Sequence, residues 1–203
     1  MATPSKVGKK LIEFNCQNGV YSADEATVNP LGYLVSVTLD KNIATKDIYG
    51  DGQLQLSVLS DKGMTGSLET TARDDEFEEA LGFVKQILNG LADIQALQNK
   101  KVDIGYETYI LTKDGVTKTK KVWLLGVQVS PASESLSQNT DTTNEATASY
   151  GITVTGKNLK ATGGTDDYRD ENGNTIKVFK VSALPTDDGY ETFLNSVPVP
   201  TIA

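Results

Sequence analysis

The sequence contains no histidine and a single cysteine, Cys16, in 203 residues. That shortage excludes an internal disulfide, a zinc site built from cysteine and histidine, a Ser-His-Asp triad and a Cys-His dyad. Cys16 itself reads as a small buried or partly buried side chain. Positive charge is also scarce: 19 lysines and arginines face 27 acids, for a net charge of −8, so the surface as a whole repels polyphosphates and anionic membranes. No apolar run is long enough to cross a bilayer, and the N-terminal MATPSKVGKK has no apolar stretch behind its lysines. The expectation is a soluble chain made inside a cell. Aromatic residues amount to 7%, which leaves little material for an aromatic-lined ligand pocket.

What the chain does have is alternation. LGYLVSVTLD (31–40), QLQLSVLS (53–60), the stretch 64–71, YGITVTGKNL (150–159) and TIKVFKVSAL (175–184) place apolar side chains in the pattern of strands. Between the first two, KNIATKDIYGDG (41–52) reads as a connecting loop, and Asp61-Lys62-Gly63 reads as a turn. VDIGYETYILT and VTKTKKVWLLGVQVS meet across Lys113-Asp114-Gly115, where Asp-Gly permits the positive φ of a tight hairpin. Trp123, Leu125, Val127 and Val129 share one parity of that second strand and read as core. A length near 200 residues suits one domain with a real core. Three segments lie outside the alternation: a flexible N-terminal arm (1–10), a long mobile loop (130–149) whose only large apolar side chain is Leu136, and an extended C-terminal arm (185–203) with three of the six prolines.

The densest cluster of acids is in GMTGSLETTARDDEFEEALG (63–82): Asp74, Asp75, Glu76, Glu78 and Glu79. From Phe77 the apolar residues Ala80, Leu81, Val84, Leu88 and Leu91 continue at helical spacing, predicting an amphipathic helix of about four turns over 74–89. Carboxylates in a first turn meet unpaired backbone N–H groups and the positive end of the macrodipole, and Asp75 with Glu78 fits a capping pair. A metal or acid/base role would need converging partners that the sequence does not supply. Asp47 to Gly52 fails as a calcium loop, with Tyr49 where an oxygen ligand belongs and Val58 where the closing glutamate would be; DDYRDENGN (166–174) puts Tyr168 at the first ligand position. No Gly-rich phosphate loop with Lys-Ser or Lys-Thr occurs. The expectation is no catalytic, metal or cofactor-binding residue, no cofactor and no enzymatic activity. Lys113, Lys118, Lys120 and Lys121 form a basic patch without interleaved aromatics, better suited to guarding an edge or meeting carboxylates of another copy than to binding DNA. The fold class expected is mainly β (α+β): a β-sandwich or barrel with one flanking amphipathic α-helix, long loops and extended terminal arms.

The order of these features resembles the major tail proteins, or tail tube proteins, of long non-contractile-tailed bacteriophages. GYLVSVTLD and DIYGDGQ before the helix, DKGMTGSLETTARDDEFEEALG, the hairpin into VWLLGVQVSPASES, and EATASYGITVTGKNL carry the likeness over roughly residues 31 to 160. Gly63 to Gly82 is its most specific stretch, followed by Tyr150 to Gly156; the loop 162–175 and both ends match nothing in the pattern. The resemblance implies one tail-tube domain over 1–203, copies closing into hexameric rings, and rings stacking into a hollow tube in the virion tail through which DNA passes without specific binding. It implies no enzymatic activity and no membrane. The partners implied are other copies of the chain, a tape-measure protein, a tail-tip initiator and a tail terminator. On this reading the subunit interface draws on Asp47, Tyr49 and Asp51, Glu78 and Glu79, Lys118, Lys120 and Lys121, and Glu134 and Asp141. The helix stands away from the lumen with its acidic end near a neighbour's lysines. Two other classes compete: a virion-surface β-sandwich that binds or adheres, and a hydrolase using two carboxylates across a cleft.

Overall fold

The computed structural model describes residues 10–51, 53–95, 100–135 and 147–202. It is mainly antiparallel β with one α-helix, as the alternation predicts. In chain order the elements are β1 (Lys10–Ser22), β2 (Asn29–Pro30), β3 (Leu34–Gly50), β4 (Gln53–Thr70), α1 (Asp75–Leu81), β5 (Val84–Ile87), β6 (Gly90–Asp93), β7 (Lys101–Thr112), β8 (Thr117–Val129), β9 (Ser133–Ser135), β10 (Thr147–Val154), β11 (Lys157–Asn158), β12 (Lys177–Val178) and β13 (Lys180–Ala183). The principal sheet runs β2-β1-β7-β8-β10-β4-β3, with β13 added to β8 and β9 to β10. It curls until β1 and β3 touch: the Cys16 thiol donates to the Val35 carbonyl at 3.5 Å across a seam where the two strands are not laddered.

β8 organises the core. Its alternating side chains are buried on both faces, Val122, Leu124 and Val127 into the curled interior and Trp123 and Leu125 into an outer cluster with Leu194. A strand covered on both sides reads as a continuous apolar run, and VWLLGV does. Its free edge is shared: Lys121 to Leu124 pair with β13, Val127 to Val129 with β10. Gly126 marks the change of partner at φ 61, a left-handed backbone that a side chain would strain, and its amide donates to Asp103 Oδ1 at 2.9 Å. The other oxygen of Asp103 accepts from Lys157 Nζ at 2.7 Å, so this nearly buried carboxylate is fully engaged.

Helix α1 closes one end of the interior. Phe77 and Leu81 are buried, and Phe77 meets the rings of Tyr21 and Tyr150 edge-on at 4.9 and 5.6 Å. The helix is shorter than its spacing predicts, Asp75–Leu81 instead of 74–89, and its N-cap is Asp74, whose carboxylate accepts from the Phe77 amide, not Asp75. Gly82 ends it in the left-handed region at φ 82, with its N–H on the Glu78 and Glu79 carbonyls. Phe83 and Val84 then turn into the core, and the chain makes a separate small hairpin, β5–β6, instead of about two further turns.

Three more expectations change. Residues 41–50 are not a loop: β3 and β4 pair along their whole lengths from Leu34↔Thr70 to Gly50↔Gln53. Asp61-Lys62-Gly63 is not a turn but the extra chain of a bulge, where the register passes from Lys41↔Met64 to Ile43↔Asp61. The stretch 175–184 is not one strand but two, β12 and β13, on either side of Phe179. The β7–β8 hairpin forms as predicted around Gly115 at φ 73. Of the arms and loops, 1–9 and 136–146 lie outside the described residues. The C-terminal stretch makes a 3-10 turn at Tyr190–Thr192 and lies back on the outer face of β8, with the Trp123 indole N–H donating to the Phe193 carbonyl at 2.8 Å.

Candidate assembly surface

The far half of the β3–β4 hairpin, residues 41–62, leaves the body of the molecule. Of the side chains described there, all are exposed except that of Ala44, which is half-buried. Direct cross-strand partners share a face of an antiparallel pair. One face therefore carries Ala44, Lys46 and Ile48 opposite Ser60, Val58 and Leu56; the other carries Thr45 and Asp47 opposite Leu59 and Ser57. The first is an apolar stripe built around Ile48, Leu56 and Val58. The second mixes exposed Ile43 and Leu59 with Thr45, Asp47, Ser57 and Asp61, and is tied across by the Ser57 hydroxyl donating to Asp47 Oδ1 at 2.6 Å. Near the tip the register shifts again, Tyr49 stands opposite Leu54, and Asp51 takes φ 52 in the turn. A two-stranded ribbon has no core of its own and is marginal when isolated in water. An uncovered apolar face on such a ribbon is the mark of a surface that another molecule completes.

A second uncovered apolar patch occupies β5–β6. Ile87, Leu88, Leu91 and Ile94 are exposed there, Leu88 to 98%. The base of this small hairpin is firmly held: Phe83 and Val84 are buried, the Ile94 amide donates to the Phe83 carbonyl at 2.9 Å, and Asp93 accepts from Arg73.

No family model matches the chain, and no curated protein matches it. Among solved structures, a chain in the six-fold symmetrised baseplate of the anti-feeding prophage is similar over 75% of this chain and 92% of that one, at 7% identity and a TM-score of 0.39. A likeness that distant neither places the chain in a family nor carries a function to it.

The residues expected at a subunit interface fall into three environments. Asp47, Tyr49 and Asp51 lie together on the projecting hairpin, Tyr49 exposed to 67%. Glu79 is exposed on α1, but its neighbour Glu78 is buried and accepts from Arg73 Nε at 2.8 Å, with Oε1 shut away from any hydrogen-bond partner. Arg73 also reaches Asp93 and, at 3.5 Å, Glu134 on β9, so two of the expected acids converge on one guanidinium. Hydrogen bonding to Asp93 first, and then to Glu78, raises the Arg73 pKa further, and the same contact holds the Asp93 carboxyl below its ordinary range. Two of the three lysines are occupied by their own chain. Lys120 is half-buried and paired with Glu13 at 3.1 Å, and burial lowers its pKa. Lys121 is buried under the tail, donates to the Tyr190 and Glu191 carbonyls at 3.0 Å, and sits 4.5 Å from the Tyr190 ring centre. Lys118 remains half-exposed, and Asp141 lies outside the described residues.

Sequence reasoning passed over the apolar members of this surface, Ile48, Leu54, Leu56, Val58 and Leu88. The signal for the first four was present: Asp51-Gly52 between two alternating runs is a hairpin signature. Among the described residues no group of three or more metal-binding side chains is placed to hold an ion. Asp170, in the candidate calcium stretch, accepts instead from the amides of Asn172 and Asn174. No helix among the described residues is long and apolar enough to span a membrane.

Proposed function

We propose that this chain is a self-assembling structural subunit of a bacteriophage tail, a tail tube protein whose copies form hexameric rings that stack into a hollow conduit for DNA. One observation carries the reading: residues 41–51 and 53–62 form a projecting hairpin whose apolar side chains, Ile48, Leu56 and Val58 among them, no other described part of the chain covers. The motif order over residues 31–160 supports it from the sequence side. Burying those three side chains against a neighbour contributes about 1.5 to 3 kcal/mol each, enough to drive association once several copies close on one another. A ring or stack requires a contact between two different surfaces of identical subunits, because a contact of a surface with itself stops at a pair. The partners on this reading are other copies, a tape-measure protein in the lumen, an initiator at the tip and a terminator at the far end. A wall of net negative charge repels the phosphates of passing DNA, so that DNA slides without binding.

Electron microscopy of the purified protein over a rising concentration series tests this. Uniform six-fold rings or hollow cylinders are expected. Single particles at every concentration, even beside tail-tip complexes, would overturn the reading. A virion-surface adhesion module predicts no such polymer and gains nothing from an uncovered ribbon bearing one exposed aromatic, Tyr49.

A further inference from the structure

We infer that the β5–β6 hairpin of one copy is the receiving surface for the apolar face of the β3–β4 hairpin of the next copy. This rests on the self-assembly reading and specifies which two surfaces meet. The projecting arm is not completed by its own body: ten residues from Lys41 to Gly50 reach about 30 Å at about 3.3 Å per strand residue, and of the side chains described along the arm all but that of Ala44 are exposed. Its occupant therefore comes from outside, and a second copy must offer a matching apolar surface somewhere else on the same fold.

Charge singles out where. Copies carrying a net −8 repel one another, yet the two apolar projections are locally neutral: residues 41–62 hold three lysines and three aspartates, and residues 83–95 hold Lys85 and Asp93 alone. Apolar, uncharged patches are where like-charged subunits can touch at least electrostatic cost. The receiving hairpin is also preorganised, its base fixed by buried Phe83 and Val84 and by Arg73 on Asp93, so little ordering entropy is lost when Leu88 at its tip and Leu91 on one face are covered. The rival acceptor is the β1–β3 seam with Phe14 and Val35. There β1 is broken by register shifts on either side of Gln17, and Asn15 and Asn18 adopt positive φ, an irregular edge of the kind that discourages a further strand. Pairing the two hairpins makes the contact heterologous, which propagates around a ring or along a stack, and it leaves neither patch exposed.

Disulfide trapping tests the pairing. In a Cys16→Ser background, chains carrying Leu56→Cys are mixed at millimolar concentration with chains carrying Leu88→Cys or Val35→Cys and oxidised gently; all three positions are exposed, so circular dichroism should match the parent. The expected result is that Leu56→Cys joins Leu88→Cys at least about tenfold more than it joins itself or Val35→Cys, a preference worth about 1.4 kcal/mol. Oligomers that form with Leu56→Cys joined chiefly to itself or to Val35→Cys overturn the pairing while leaving self-assembly standing. A mixture that sediments only as monomer removes the self-assembly reading, and the pairing falls with it.

Discussion

Arg73 ties three parts of the chain to one guanidinium: α1 through Glu78, the end of β6 through Asp93, and β9 through Glu134. Glu78 depends on it most, because its carboxylate is 1% exposed and only one of its oxygens has a partner. Replacing Arg73 by Met leaves a buried charge uncompensated, which costs about 3 kcal/mol, the lower end of the usual range because the guanidinium is partly solvated; urea denaturation should show it, and Glu78→Gln in the same chain should recover part of the loss. Two consecutive acids thus have opposite tests. Glu78→Lys disrupts the fold, whereas Glu79→Lys leaves stability within about 0.5 kcal/mol and reports on contacts between copies. Two tyrosines set the alkaline limit. Burial pushes the phenols of Tyr106 and Tyr150 up to about 12 from an ordinary 10, with the Cys16 thiol adding at Tyr106 and the Glu78 and Asp74 carboxylates at Tyr150. A folded-state pKa above the unfolded value means that below pH 10 both states keep their protons and stability is full; above it the unfolded chain ionises first and stability falls through pH 12. Denaturation midpoints measured from pH 8 to 12 should be level to about 10 and then decline, with phenolate absorbance appearing in step with unfolding.

At the scale of elements, what the sequence showed is what the core covers. β7, β8 and β10 were legible because buried side chains alternate along them and Asp114-Gly115 fixes the turn. The far half of β3 was not, because an uncovered strand is free to be KNIATKD: no core selects its side chains, and it reads as a loop. The helix was overextended because Val84 continues the helical spacing of Phe77 and Leu81 by coincidence and is buried as the first residue of β5. Gly82 decides the matter through its left-handed φ. Gly82→Ala should cost about 1 kcal/mol in thermal or urea unfolding, although only the Lys100 side chain lies near the added carbon. A straight helix over 74–89 would tolerate the same change or gain from it. As for the residues expected at an interface, Asp47, Tyr49 and Asp51 lie on the projecting hairpin, whereas the fate of Glu78, Lys120 and Lys121 depends on Arg73, Glu13 and Tyr190, two of them far away in sequence, and no local pattern reveals such partners.

For the molecule as a whole, the outer face of β8 is covered by the chain's own last residues. Leu194 and Phe193 lie over Trp123, the only tryptophan, which is fully buried. A chain ending at residue 184 should lose about 2 kcal/mol or more through the uncovered apolar surface alone, with its fluorescence moving to longer wavelength as the indole meets water. Unchanged emission would mean that the β8 face is closed without the tail. Adhering to its own sheet, the tail also keeps Lys121 from solvent through the Tyr190 and Glu191 carbonyls, so the basic patch seen in the sequence is smaller on the surface.

β8 has strands along both edges and apolar layers on both sides, while among the described residues 41–51 and 53–62 pair only with each other. Opening free energies should differ accordingly, from nearly nothing at the tip to the global value in the centre. Deuterium should enter the amides around Tyr49 first and those of Val122 to Leu125 last. A neighbour that seats the ribbon would slow that early uptake, writing the footprint of the contact directly into the exchange times.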